Sequence, residues 1–403
     1  MSMWRGTIER FSLWRVGAVV AAGLAGVLAC SPAVAGPSGR PAFRVDYPFP
    51  TADKPQSKLW YAGERWWALL PRSSGPSLWE RSPSGWREHA EVAEQLRGVP
   101  GRADVWYDSV GVTAVAVADR LLAVVRLTAV SGPAPSWQAR VLARIASPVS
   151  DMIETVTVAR DIAGTWWVAA PIQGRAFVWH SNDGVVWSTA QQVAAGLHVD
   201  DLCLVTPLPD GVAVIWSDQK REAVRTRLHR SAAEPAAWEP PVTIESGGRT
   251  ADDHLHATLT ADGRVWVATK NSVDAPGRPQ LVLRVRQPDG VWENYPYAPL
   301  SAEQAPSRPI VLGTTESGRV LLGHVVYGSG PVRHDRIVFG WADPQSPTVI
   351  VEERAVIVPE DSEARVNDIT GPKAAFTAHQ PWIVLASDGQ GRVYEADLRA
   401  GTR

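Results

Sequence analysis

Cysteine is nearly absent from this chain of 403 residues: only Cys30 and Cys203 occur, so no disulfide framework is available to hold a fold. Stability must then come from core burial, and roughly 360 residues beyond an N-terminal leader exceed the size at which a chain buries most of its surface. Cys203, set in Asp-Leu-Cys-Leu-Val, reads as a small buried hydrophobe. A charge excess of either sign is missing too. The net charge is −2, and loss of the first 35 residues removes three arginines and Glu9 and takes it to −4. That is too mild to specify a partner, and with no basic stripe interleaved with aromatics, nucleic acid is not expected as one. There is no Gly-rich phosphate loop, no Cys-x-x-Cys pair and no Gly-x-Ser-x-Gly elbow, which removes the ordinary nucleotide, redox and serine-hydrolase readings. Helical periodicity is almost lacking as well. The apolar run Val16–Ala29 spans 14 residues, too short to cross a bilayer permanently.

That run follows Arg5, Arg10 and Arg15 and reads as a bacterial export signal. Ala33-Val34-Ala35 fits cleavage before Gly36, whereas Val27-Leu28-Ala29-Cys30 resembles a lipobox with Cys30 as the lipidated N-terminus. The expectation is a signal over 1–35 and one domain over 36–403. The product is then extracytoplasmic, secreted or lipid-anchored at the bacterial surface, monomeric, and in touch with membrane only through the lipid.

What the chain does have is tryptophan. Trp86, Trp137, Trp187, Trp238 and Trp292 lie 51, 50, 51 and 54 residues apart, each opening a β-prone run. A period near fifty predicts stacked sheets, most simply propeller blades. The clearest unit holds strands at His254–Thr260, Arg264–Lys270, Leu281–Arg286 and Trp292–Tyr297, with Asp262-Gly263 and Asp289-Gly290 turns. Trp67, Trp167, Trp216, Trp266 and Trp382 form a second comb on second strands, with Val117 in the one missing place. The sixth unit, Ala302 to Pro359, keeps the Ser317-Gly318 turn and Arg319–Val325 but has Thr348 where a tryptophan is due. The last unit, Glu363 to Leu398, has only three strands, and Ala42–Tyr47 is expected to supply the fourth, closing the ring and removing a sheet edge. The fold class is therefore all-β: a seven-bladed β-propeller closed by an N-terminal strand. Comb tryptophans should pack between blades, which leaves Trp60, Trp106, Tyr107 and Tyr327 as the better ligand candidates.

Ser181-Asn182-Asp183-Gly184-Val185-Val186-Trp187 is similar to the Asp-box of sialidase-like propellers, a folding motif of hairpin turns. A broader resemblance is carried by Lys58-Leu59-Trp60-Tyr61, Arg65-Trp66-Trp67-Ala68, Arg102-Ala103-Asp104-Val105, Trp216-Ser217-Asp218-Gln219, Ala251-Asp252-Asp253-His254, Val267-Ala268-Thr269-Lys270, Arg308-Pro309-Ile310-Val311 and Val384-Leu385-Ala386-Ser387-Asp388, in that order. Together these resemble a family of exported bacterial propellers of no established activity, over nearly the whole mature chain. True sialidases match less well: Phe43-Arg44-Val45-Asp46-Tyr47-Pro48 replaces their Arg-Ile-Pro signature, and seven units stand where six are expected.

Aligning the units on their first turns superposes Asp200-Asp201 and Asp252-Asp253, with Ile153-Glu154 and Ser307-Arg308 in register. All precede or begin an innermost strand, which rims the channel. Asp104, Asp201, Asp253, His254, Arg308 and Asp368 are therefore the expected ligand-binding rim, with His254 as an acid/base group near neutral pH. His254 and His256 share a strand face and could hold a metal if Asp201 or Asp253 joined them; the reading here is that they do not, and that no cofactor is needed. Lys270 reads as a solvated strand end. Catalysis by two carboxylates would need one kept protonated near neutral pH, and rim carboxylates in water offer no evident reason for that. The function expected is a binding module for glycan or cell-envelope polysaccharide. A glycosidase or polysaccharide lyase is the alternative, and a docking platform for another envelope protein is the third reading.

Overall fold

The computed structural model describes residues 36–130, 136–315, 318–328 and 334–399; the expected signal over 1–35, with Cys30, and Ser317 lie outside them. The molecule is a seven-bladed β-propeller built from seven four-stranded antiparallel sheets. Blade 5 runs Leu255–Leu259, Val265–Lys270, Pro279–Arg286 and Trp292–Pro299, within a residue or two of the strands expected. Blade 7 contributes three strands of its own, and Phe43–Arg44 pairs with its outer strand through Phe43↔Val393 and Arg44↔Arg392. Two further backbone bonds, Ala42 N to Val393 O and Val45 N to Gly391 O, extend that closure. One helix, Ala90–Gln95, follows blade 1 and is anchored by fully buried Val92; its single turn is too short to show a period in the sequence.

The core is a ring of apolar seams between blades. Strand alternation sends neighbouring residues to opposite sheet faces, and the two Trp-Trp pairs use this. Trp66 packs toward blades 6 and 7 while Trp67 packs toward blade 2; Trp166 joins the blade 2 seam while Trp167 joins that of blade 4. Trp67, Trp167, Trp266 and Trp382 are each at most 2% exposed. Their indole N–H groups all bind the connection between the first and second strands of their own blade, at Ala62 O, Asp161 Oδ2, Thr260 Oγ1 and Thr377 O. One side chain thus fills a seam and ties a turn. Trp216 shares the strand but not the position: it pairs with Cys203 at the opposite end, and its Nε1 is buried without a partner.

The outer comb is looser than expected. Trp137 is 5% exposed, but Trp86, Trp187, Trp238 and Trp292 are only partly buried. Trp187 and Trp238 also precede rather than open their outer strands, which begin at Gln191 and Val242. Around Trp187 the Asp-box behaves as a turn clamp. Asp183 Oδ1 accepts Val185 N and Val186 N at 2.8 and 2.9 Å, and Trp187 Nε1 donates to Gly184 O at 3.0 Å. Gly184 sits at φ +76°, where a side chain is strained. Trp60, expected as a ligand contact, is 1% exposed and edge-on to Trp137 in the blade 1–2 seam. Cys203 is fully buried in its seam, and burial pushes its thiol pKa upward.

Candidate functional site

The chain between Arg44 and Leu59 sets the geometry of the axis. It leaves an outermost strand and must next enter an innermost one, so it crosses the blade radius, about three strand spacings of ~4.8 Å each. Residues Thr51–Lys58 make this crossing over the channel mouth. Thr51 bonds Ser387 of blade 7, Asp53 pairs with Arg102 of blade 2 at 3.0 Å, and Gln56 Nε2 donates to Val156 O of blade 3 at 3.1 Å. Lys54 pairs with Asp253 at the entry to blade 5, and Lys58 N donates to Thr370 Oγ1 of blade 7 at 3.0 Å. Lys58 itself is fully buried, its ammonium on Gln56 Oε1 and Ala103 O, and burial lowers its pKa to about 8 despite nearby Asp53 and Asp104.

Three carboxylates meet at the mouth from consecutive blade entries: Glu154, Asp200 and Asp253, each offering an oxygen within 4.8 Å of the others. Asp253 is held on both oxygens, by His254 Nδ1 at 2.5 Å and by Lys54. Burial alone would raise its pKa, but hydrogen bonds from its neighbours and the charges of His254 and Lys54 outweigh this and hold it well below the carboxylate range. Glu154 goes the other way. Enclosure by the funnel wall, followed by the charges of Asp200, Asp253 and Asp53 and opposed by Lys54, raises its pKa to about 7, although the side chain is open to solvent. Against the expectation that no rim carboxylate has a reason to stay protonated, desolvation at the mouth supplies one, and the charges of Asp200, Asp253 and Asp53 add to it.

The other expected rim residues divide in two. Arg308 and Asp368 do come together, forming an ion pair at 2.5 Å, with Tyr327 Oη accepting from Arg308 Nε at 2.8 Å and donating to Asn367 Oδ1 at 2.7 Å. Both backbones are left-handed, at φ +53° and +36°, and both sit where the strand register breaks. Such irregularities re-aim side chains. Asp104 and Asp201 turn inward instead. Asp104 is fully buried, accepting Ser57 N and Val158 N and pairing with Lys373, a residue of the loop after the first strand of blade 7. Asp201 is 2% exposed and clamps the amides of His198 and Gln219. The neighbouring Asp200 takes the place in the mouth.

His254 and His256 have different surroundings. His254 Nδ1 lies between Asp252 and Asp253, and its buried Nε2 has no partner. His256 is fully enclosed, accepts Val311 N at 3.4 Å on Nδ1, and burial with nearby Lys373 lowers its pKa to about 3. Among the described residues the groupings able to hold a cation are Asp252–Asp253–His254 and Glu154–Asp200–Asp253, and His256 is in neither. Lys270 is an ion-pair partner of Asp252 at 2.6 Å rather than a solvated end.

Lys54, Asp53, Lys58 and Lys373 make contacts at the axis that sequence reasoning passed over. Lys373 and the polar Thr51–Lys58 read as loop. The available signal was topological: 14 residues join an outer strand to an inner one, and that path has to cross the mouth.

No protein-family model matches the chain, and no curated protein matches it. Among solved structures it is similar to an α-L-arabinanase of Penicillium chrysogenum complexed with arabinobiose, at 12% identity and TM-score 0.45, over 76% of this chain and 96% of that one. A Dyadobacter fermentans protein of unknown function gives 12% and 0.46, over 91% and 98%. The Fusarium graminearum α-L-arabinofuranosidase complexed with an iminosugar inhibitor gives 10% and 0.45, over 78% and 98%. At these values neither site nor substrate is transferred.

Proposed function

We propose that this propeller acts on glycans at its channel mouth, and that hydrolysis of a glycosidic bond is the activity its geometry supports best. The observation that carries this is the juxtaposition of Glu154 with Asp253 and Asp200 within 4.8 Å. Glycoside hydrolysis needs one carboxyl that delivers a proton to the leaving oxygen and one that stays ionised beside the developing positive charge. Glu154, with a pKa raised to about 7, suits the first role and the ionised Asp253 the second. Arg308, Asp368 and Tyr327 would contact sugar hydroxyls on the opposite wall. The leader pattern of residues 1–35 supports placing the activity outside the cytoplasm.

Capture without turnover is the second reading, and it too has an observation: both oxygens of Asp253 are already engaged by His254 and Lys54, which blunts the carboxylate as a nucleophile. The mature protein incubated with arabinan, xylan, galactan and sialyllactose separates the two. Release of reducing ends, falling as pH rises through about 7 and absent in a folded Glu154→Gln variant, supports hydrolysis. Retention on an immobilised glycan with no product leaves capture. Neither retention nor product removes both.

A further inference from the structure

A chamber of 230 Å³ lies against the innermost strands of blades 4 and 5. The positions lining it lie further along the innermost strands than the mouth residues do: His256 and Thr258 follow Asp253, and Thr206 follows Asp200. At about 3.3 Å per residue this sets the chamber roughly 10–20 Å deeper. Pro55 of the crossing segment lines it too, so the same segment that presents Lys54 to the mouth borders a second compartment.

We propose that this chamber is a binding site for one small uncharged polyhydroxy compound, of the size of a monosaccharide or cyclic polyol. Its volume falls below the roughly 300–1,000 Å³ of sites for drug-sized ligands and is several times that of a water, about 30 Å³. The walls supply donors without a net charge. Trp106 Nε1 is buried with no partner, whereas a buried indole N–H usually finds one. Thr206 and Thr258 add hydroxyl groups from two adjacent blades. His256 accepts Val311 N on Nδ1, which leaves Nε2 as the protonated ring nitrogen. The single cation, Lys373, is spent on Asp104 and Val158 O while its ammonium lies 5.8 Å from the Trp106 ring centroid. An anion would find no free counter-charge and a cation no free carboxylate, so a ligand offering hydroxyl acceptors and a ring face for the indole is the match. The inference does not depend on what the mouth does.

Isothermal titration calorimetry of the mature chain with D-glucose, D-galactose, L-arabinose and myo-inositol tests it, with gluconate and glucosamine as charged controls. Saturable binding of at least one uncharged probe is expected. It should weaken at least tenfold in Trp106→Phe, which keeps the ring and loses the N–H, and in Thr258→Val, and be unchanged in Glu154→Gln. No binding of any uncharged probe overturns the proposal, as does binding lost in Glu154→Gln but retained in the other two, which would put the sugar at the mouth. Should Trp106→Phe fail to fold, Thr258→Val carries the decision, and unchanged affinity in it counts against the chamber.

Discussion

The seams between blades and the axis they surround are built from the same strands, yet they obey different rules. The seams repeat an aliphatic face and, in four of the seven blades, a tryptophan whose indole N–H binds the first turn. The axis repeats only in part. Glu154, Asp200 and Asp253 come from three blades, Arg308 and Asp368 from two more, and Lys54 from no blade at all. Interchangeable apolar contacts make the ring, and unique polar contacts give it one mouth. Breaking a seam should therefore cost folding energy, whereas breaking the axis should cost less and change the chemistry.

The largest effect belongs to the seam. Trp266 is fully buried between blades 5 and 6, and Trp266→Ala should lose about 3–5 kcal/mol in urea unfolding. Trp292, partly exposed on the same blade, should lose about 1–2 kcal/mol, within the ordinary range for a single substitution. Equal losses at the two sites would mean that the outer comb is as much a part of the core as the inner one.

On the axis, Lys54→Ala leaves Asp253 and His254 facing each other without the cation from the crossing segment. A cost of about 1–3 kcal/mol is expected for the unpaired, part-buried carboxylate. The double variant with Asp253→Ala should recover part of it, a coupling of about 0.5–3 kcal/mol. Strict additivity would mean that the segment does not hold the mouth through this pair.

A pH-dependent effect comes from His256. Its pKa is lowered to about 3, so the unfolded chain takes up the proton first as pH falls below its ordinary 6.5. Stability from this group is complete above about 6.5 and is lost progressively toward pH 3, at no more than about 1.4 kcal/mol per pH unit. His256→Gln should flatten that limb of the stability curve. An unchanged acid limb would mean that the imidazole is solvated.

How much of this could be read from sequence follows from the same contrast. Periodic features were legible because each blade states them again: the Trp266 and Trp67 register, the Asp262-Gly263 and Asp289-Gly290 turns, and a seventh sheet one strand short all led to a closed ring whose missing strand is Phe43–Arg44. Where one blade departed, as with Trp216 at the wrong end of its strand, the period concealed it. The mouth was half legible. Superposing units put Asp253 and Glu154, and Arg308 and Asp368, on one rim, but register alone does not distinguish Asp200, which lies with Glu154 and Asp253, from Asp201, which clamps amides. Lys54 and Lys373 arrive from connections with no counterpart in other blades, and a repeat-based reading gives such residues no weight.

The smallest expected effect is the most informative about chemistry. Glu154 is raised from 4.5 to about 7, so between those values the folded chain holds a proton that the unfolded chain has released. Stability from this group is therefore full below about pH 4.5, falls as pH rises toward 7, and stays reduced above it. Glutamine mimics the protonated acid at every pH. Glu154→Gln should consequently melt above the wild type at pH 8 and level with it at pH 4. Because the side chain is open to solvent, screening should keep the difference below about 1 kcal/mol, a shift of roughly 1–3 °C for a chain of this size. The sign matters more than the size. A higher melting temperature at pH 8 means that the mouth disfavours the ionised carboxylate, the condition that keeps an acid protonated for catalysis. A variant less stable than the wild type at pH 8 would mean that ionised Glu154 is welcome there, paired with Lys54, and hydrolysis would lose its proton donor while capture would remain.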